Sequence, residues 1–277
     1  MSLLAFFRPN FSLFNPSNLI YVPSRPEIFY PPFMDHYRQV KTFFDRTAAR
    51  YRERPRAFRA YYFGRRIELA LERILDNQRV IDVGCGRGEL FDRLAAMPAV
   101  QNKYIGLDIS PVMLELSRIP ADQQQQKTLE VFVAESPAFL ADRIIALGLT
   151  TYYQAVDLPI FYVAMDRSLA SNGKAVVSYT HSASFDFRIR RFLHLALGKV
   201  LPRERSLGRK FTIHATTPTE VAATLPAGLK IESIHWLPAA IPLITHWFPH
   251  LSVRLSKGIL KNCSPSWRGD FVVTISK

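Results

Sequence analysis

Arg79-Val80-Ile81-Asp82-Val83-Gly84-Cys85-Gly86-Arg87-Gly88-Glu89-Leu90 is the stretch that decides the fold. A β-branched run ends in an acid and opens into three alternating glycines. An apolar helical pattern follows, with Leu90, Phe91, Leu94 and Ala95 on one face. The pattern reads as strand, tight turn and helix, the opening of a nucleotide-binding β-α unit. Glycines permit positive φ and let a ligand approach the main chain closely. The helix start then offers free N–H groups.

Two ligand classes use such a turn. A dinucleotide fingerprint requires G-x-G-x-x-G, with a pyrophosphate on the helix N-terminus. Here the third glycine comes one residue early, and Glu89 holds the position that fingerprint reserves for glycine. Asp82 would repel a pyrophosphate but suits a ligand with cationic groups, and S-adenosylmethionine carries both an ammonium and a sulfonium. The stretch resembles the first motif of class I S-adenosylmethionine-dependent methyltransferases, where an acid precedes G-x-G-x-G. The resemblance implies cofactor contacts at Asp82, Gly84, Cys85, Gly86 and Gly88. A purely structural β-α-β unit is the alternative reading.

The next segments extend the resemblance. Lys103-Tyr104-Ile105-Gly106-Leu107-Asp108-Ile109-Ser110 is a short apolar run ending in an acid. A carboxylate at that tip can accept both ribose hydroxyls of a nucleoside, the role the family implies for Asp108. Ile109 and Met113 fit beside the adenine. Leu129 to Ser136 reads as the third strand and its exit, and the family implies that Glu135 and Ser136 meet the adenine amino group. Arg143 to Tyr152 reads as the fourth strand and the loop lining the methyl-transfer site, including Leu149. Ala175 to Tyr179, Lys230 to Trp236 and Asp270 to Ser276 complete the strands. The near-continuous hydrophobicity of Ala175 to Tyr179 suits a parallel strand buried on both faces. The expected architecture is α/β: a Rossmann-like seven-stranded, mostly parallel sheet with helices on both faces. The last strand is antiparallel, and a helical lid precedes the sheet.

Three further segments are set apart. Residues 1–34 form an arm without long periodicity. Its apolar start is too short to span a membrane and lacks the positive region of a secretory signal. Residues 35–77 read as the helical lid. Within it, Phe43-Phe44-Asp45-Arg46-Thr47-Ala48-Ala49-Arg50-Tyr51 resembles the opening of small-molecule methyltransferases. That resemblance places Tyr51 near the methionine end of the cofactor, and a core aromatic is the alternative. The arginines from Arg50 to Arg66 read as a solvated helix face, with an anionic acceptor as the other reading. Residues 182–217, inserted in the 78–277 domain, carry an apolar stripe of Phe185, Ile189, Phe192 and Leu193. Arg188, Arg190 and Arg191 crowd the same segment. A cap over the acceptor and a peripheral membrane contact are both compatible with this pattern.

The 277-residue chain can bury a full core, and its net charge of +13 favours an anionic partner. Two cysteines, Cys85 and Cys263, suggest no disulfide framework and fit a cytoplasmic location. No metal-ligand cluster is legible. Methyl transfer depends mainly on alignment with water excluded. A base is needed only if the acceptor arrives protonated. His181 and Tyr152 are the candidates to act on the acceptor. The Asn/Asp-Pro-Pro-Tyr motif of amine methyltransferases is absent after the fourth strand. The reading is therefore O- or C-methylation of a small, largely apolar acceptor, lipid-like or anionic, loosely like quinone and magnesium-protoporphyrin methyltransferases. The alternatives are an RNA methyltransferase, which charge favours though no specific nucleic-acid module is present, and a catalytically silent cofactor-binding protein.

Overall fold

The computed structural model describes residues 34–50, 57–97, 102–189, 192, 213–241 and 244–277. His36–Lys277 forms one compact unit. Helices α1 (Met34–Thr47) and α2 (Ala57–Leu71) precede β1 (Arg79–Val83). Next come α3 (Glu89–Ala95), β2 (Lys103–Leu107), α4 (Pro111–Glu115) and β3 (Gln124–Gln125). Helix α5 (Leu129–Glu135), β4 (Ala141–Ala146), α6 (Leu158–Ser168) and β5 (Leu169–Tyr179) follow. The chain ends with α7 (Pro218–Thr224), β6 (Lys230–Trp236), α8 (Ile244–Trp247), α9 (Pro249–Asn262) and β7 (Phe271–Ser276).

The seven strands form one sheet in the order β3-β2-β1-β4-β5-β7-β6. β7 runs antiparallel to both neighbours, and the other pairings are parallel. This is the Rossmann-like sheet read from the sequence. Strand alternation divides the core between two faces. Ile81, Ile144, Val177 and Val273 point to one side, where Phe132 of α5 and Phe161 and Met165 of α6 cover them. Val80, Ile145, Val176 and Val272 point to the other, against Leu69 and Ala70 of α2 and Leu90 and Leu94 of α3. A period of two on a sheet covered on both faces gives unbroken apolar strands. Strand order reverses between β1 and β4, so the crevice at their carboxyl ends is the place where this architecture binds ligands.

The third strand lies elsewhere than expected. Leu129-Glu130-Val131-Phe132-Val133 looks like a strand because β-branched and apolar residues dominate it. It folds as α5 instead. Thr128 caps the helix by accepting from the Val131 N–H at 3.4 Å, and Leu129 and Phe132 share one buried stripe. The actual β3 is Gln124–Gln125, inside the polar run, where it pairs with Gly106 and Leu107. A polar two-residue strand suits a sheet edge. The arm of residues 1–33 and Tyr51 lie outside the described residues, as do Arg190, Arg191 and residues 193–212 of the insertion. Phe185 stacks on Trp267 at 4.5 Å. Among the described residues no helix is long and apolar enough to cross a membrane.

The antiparallel end of the sheet is locked by aromatics. Phe271 is fully buried, stacked on Tyr179 at 5.3 Å and packed on Trp236 at 5.6 Å. Phe271→Ala is expected to cost about 3–5 kcal/mol in denaturant unfolding. A loss under about 1 kcal/mol would show that this end of the sheet is not closely packed.

Candidate active site

A cleft opens at the reversal of strand order. It is lined by the glycine turn, the tips of β1, β2 and β4, and residues of α1 and α2. Gly84, Gly86 and Gly88 all have positive φ, at 71°, 53° and 76°. The Gly84 and Cys85 N–H groups both donate to the Leu107 carbonyl, at 2.7 and 3.0 Å. The turn is thus pinned to the tip of β2. A Cβ on Gly84 would sit 3.0 Å from Leu149 Cδ1, so that glycine also lets the β4 loop close in.

Asp108 is the organising carboxylate. Gly86 N–H donates to its Oδ2 at 2.9 Å and Ser110 N–H to its Oδ1 at 2.8 Å. Each oxygen keeps a further lone pair for a ligand. Burial raises the carboxyl's pKa, while the two N–H donors act in the opposite direction. Ser110 also caps α4 by accepting from Met113 N–H at 3.1 Å, and its hydroxyl donates to Asp45 of α1 at 2.6 Å.

Asp82 lies deeper. It is 4% exposed and accepts from the Tyr104 hydroxyl at 2.6 Å. Burial pushes its pKa up to about 7; the Tyr104 hydrogen bond opposes the shift, and the charges of Asp108 and Glu89 add to it. Burial also holds the Cys85 thiol well above its usual value. Cys85 is a compact protonated turn residue, not a nucleophile.

Of the residues singled out from the sequence, the cleft brings together Asp82, Gly84, Cys85, Gly86, Asp108, Ile109, Met113, Leu149 and Tyr152. Gly88 starts α3 in the left-handed conformation just behind the turn. Glu135 and Ser136 are not part of the lining. Once α5 replaces the expected strand, Glu135 falls in its last turn, paired with Lys127 at 2.5 Å. Lys127 and Thr128, just after β3, take the positions at the cleft instead.

His181 is also displaced from the acceptor position expected for it. Its ring lies 5.0 Å from Trp236 and 5.8 Å from Phe271, buried at the antiparallel end of the sheet and outside the lining. Its own N–H donates to Asp270 at 3.1 Å, and burial lowers the imidazole pKa. The surroundings are those of a neutral core histidine.

Sequence reading missed the aromatic roof and one cation. Tyr37, Val40 and Phe44 come from α1, and Phe63, Arg66 and Ile67 from α2. Phe44 meets Tyr152 edge-on at 5.0 Å, and the Tyr152 carbonyl lies 2.8 Å from His36 Nε2. Tyr153 donates to Glu130 at 3.1 Å, and burial raises the pKa of both Tyr37 and Tyr153. These phenols stay protonated, as donors rather than bases. Arg66 is 7% exposed, not on a solvated face. Its guanidinium lies over the Tyr62 and Phe63 rings, each at 5.4 Å. It also occupies the space above Gly148, where an added Cβ would come within 2.2 Å of Nη2. The arginine-rich run signalled cations but not which of them turns inward.

Residues 74–195 match a family model described as a methyltransferase domain. Over 101 residues the chain is 29% identical to the ubiquinone biosynthesis O-methyltransferase of Histophilus somni (strain 2336), covering 34% of this chain and 41% of that protein. Over 80 residues it is 34% identical to the aklanonic acid methyltransferase DauC of Streptomyces sp. (strain C5), covering 28% and 36%. The chain therefore spans about two-fifths of the length of these curated relatives. The magnesium protoporphyrin IX methyltransferase of Synechocystis PCC 6803, solved with bound S-adenosylhomocysteine, superposes with a TM-score of 0.55 at 13% identity, covering 88% of this chain and 100% of that one. Residues 74–195 are thus the part of the chain that is similar to the methyltransferase-domain family. The seven-stranded sheet has the Rossmann-like fold of that solved methyltransferase.

The raised Asp82 pKa has a testable sign. Its folded value of about 7 exceeds the unfolded carboxylate value of about 3.9. Between those values the native chain holds a proton that the unfolded chain releases. This group's contribution therefore falls as pH rises from about 4 to about 7, and stays low above that. Melts of the ligand-free protein at about pH 6 and about pH 8 should show a loss of about 1 kcal/mol on alkalinisation. Asp82→Asn should remove most of it. Identical slopes in the two proteins would contradict a buried, protonated Asp82.

Proposed function

We propose that this cleft binds S-adenosylmethionine and that the chain transfers its methyl group to an oxygen or carbon of a small, largely apolar acceptor bearing an anionic group. The observation carrying the cofactor assignment is the Asp108 carboxylate. Two backbone N–H groups hold it rigidly at the tip of β2, so it is prepared to accept from a ribose diol. Ile109, Met113 and Thr128 offer the adenine a mostly apolar slot beside it. Asp82 and Glu89 near the turn disfavour a pyrophosphate and suit a cationic sulfonium amino acid.

When bound, S-adenosylmethionine supplies an electrophilic methyl group: the acceptor atom bonds to the methyl carbon as the carbon–sulfur bond breaks and its electron pair returns to sulfur. The chain contributes alignment. Leu149 and the Gly84 turn narrow the cofactor end, while Phe44, Phe63 and Tyr152 form an aromatic wall against which a flat acceptor packs. Closing α1 and α2 over this wall excludes water. Neither Tyr37 nor Tyr153 is poised to take a proton, so an acceptor that is not already an anion passes its proton to Tyr152 or to water.

Arg66 supports the anionic part of the reading. A guanidinium this buried normally answers an anion, and Arg66 lies against aromatic faces and the Gly148 backbone. It stands beside the β4 tip, at the acceptor end of the cleft.

Calorimetric titration with S-adenosylhomocysteine tests the cofactor site. Asp108→Ala should weaken binding by about 2 kcal/mol, the loss of charge-assisted hydrogen bonds to the ribose. Unchanged affinity would overturn the assignment.

A panel of phenolic acids and their methyl esters tests the acceptor. The wild type should methylate acids in preference to esters, and Arg66→Gln should lower turnover of the acids about a hundredfold with cofactor affinity unchanged. A preference for esters would refute the anionic acceptor. So would a tenfold loss of S-adenosylhomocysteine affinity in Arg66→Gln, which would assign the guanidinium to the amino-acid carboxylate of the cofactor.

A further inference from the structure

Helix α9 leaves two leucines on its outward side. Its inward side carries Ser252 and Ser256, one turn apart and both fully buried, beside the part-buried Val253 and Ile259. Their hydroxyls are spent locally. Ser256 donates to the Ala239 carbonyl at 2.8 Å, and the Ser252 and Thr245 hydroxyls share a 2.7 Å hydrogen bond. The opposite side carries leucines, with Leu251 46% and Leu255 40% exposed. Just before the helix, Trp247 is 71% and Phe248 63% exposed. A surface helix of a globular protein ordinarily buries its leucines and turns its serines to water. Here Leu251 and Leu255 lie one turn apart on the exposed side of α9, and the exposed Trp247 and Phe248 immediately precede the helix. Contiguous exposed apolar surface of this kind marks an interaction site.

The charge pattern selects the occupant. From Leu237 to Gly269 the sequence contains Arg254, Lys257, Lys261 and Arg268 and no aspartate or glutamate. At 3.6 residues per turn, Arg254, Lys257 and Lys261 fall along one side of the exposed arc of α9. Leu251 and Leu255 fall along the other. Basic side chains flanking an apolar edge, with tryptophan and phenylalanine at its start, are the composition of a helix lying in a membrane interface.

We infer that α8 and α9 form a docking face for an anionic lipid bilayer, with Trp247, Phe248, Leu251 and Leu255 entering the headgroup–acyl boundary and the basic residues meeting lipid phosphates. The inference rests on this face alone and is independent of what the cleft binds. Its consequence for function is delivery: α9 packs against α2, the helix that carries Phe63 and Arg66 into the cleft. A bilayer-seated α9 would bring the cleft's roof close to a store of apolar, anionic molecules.

Co-sedimentation of the full chain with phosphatidylcholine vesicles, with and without phosphatidylglycerol, is the test. The wild type should bind the anionic vesicles at low salt and ignore the neutral ones. Leu251→Gln with Leu255→Gln should weaken that binding by about tenfold or more. Arg254→Gln with Lys261→Gln should weaken it by about fivefold for each charge removed. Both pairs are exposed, so melting temperature and S-adenosylhomocysteine affinity should stay at wild-type values; those readouts separate a failure of this face from a failure of the cleft. Three results would overturn the proposal. One is a wild type that ignores anionic vesicles at low salt. Another is a leucine variant that binds them fully, which would reduce the effect to bulk charge. The third is self-association that the leucine variant abolishes without any vesicle binding, which would give the face to a second copy of the chain.

Discussion

The hydrogen bond from Gly86 N–H to Asp108 is the constraint on which the site depends. It joins the turn after β1 to the tip of β2, and the Gly84 and Cys85 donations to the Leu107 carbonyl brace the same junction. Only residues that tolerate positive φ can follow that path, so all three glycines are spent on geometry before any ligand arrives. Ser110 extends the brace through the cap of α4 to Asp45 on α1. Three elements far apart in sequence are thereby set around one carboxylate.

That arrangement stores electrostatic cost. The charges of Asp108 and Glu89 raise the pKa of Asp82, that of Asp45 raises the pKa of Asp108, and both carboxyls are largely removed from water. A folded domain without ligand gains nothing from buried like charges. The cost makes sense when the cleft is filled by a molecule with hydroxyl donors at one end and positive charge at the other. Perturbed carboxylates gathered at a topological switch point are the physical mark of a binding site. At the far end the signs reverse, with Arg66 held between aromatic faces and a glycine that leaves it room.

Much of this was legible in the sequence, for reasons that can be named. Asp82, the glycines and Asp108 sit at strand tips whose apolar runs announce them, and local backbone rules fix their geometry. The antiparallel direction of the last strand comes from the resemblance to the family's ending, while the apolar run of β7 shows only that it is buried on both faces. Glu135 and Ser136 were misplaced because Leu129-Glu130-Val131-Phe132-Val133 has the composition of a strand, while Thr128 and a buried i, i+3 pair make it a helix. A two-residue strand of glutamines gives no hydrophobic signal at all. His181 looked like an acceptor residue because it follows β5, but β7 pairs beside β5 and brings Phe271 and Trp236 against its ring. Arg66 was hidden among arginines that share its composition and not its burial. Nothing in the chain before folding says that Gly148 will stand beneath it.

The most direct test of the account is a crystal structure of the chain with S-adenosylhomocysteine. The account predicts the ribose hydroxyls within hydrogen-bond distance of both Asp108 oxygens, the adenine against Ile109 and Met113, and the sulfur between the Gly84 turn and Tyr152. A ligand whose ribose leaves Asp108 unoccupied, or whose adenine lies toward Arg66, would contradict it.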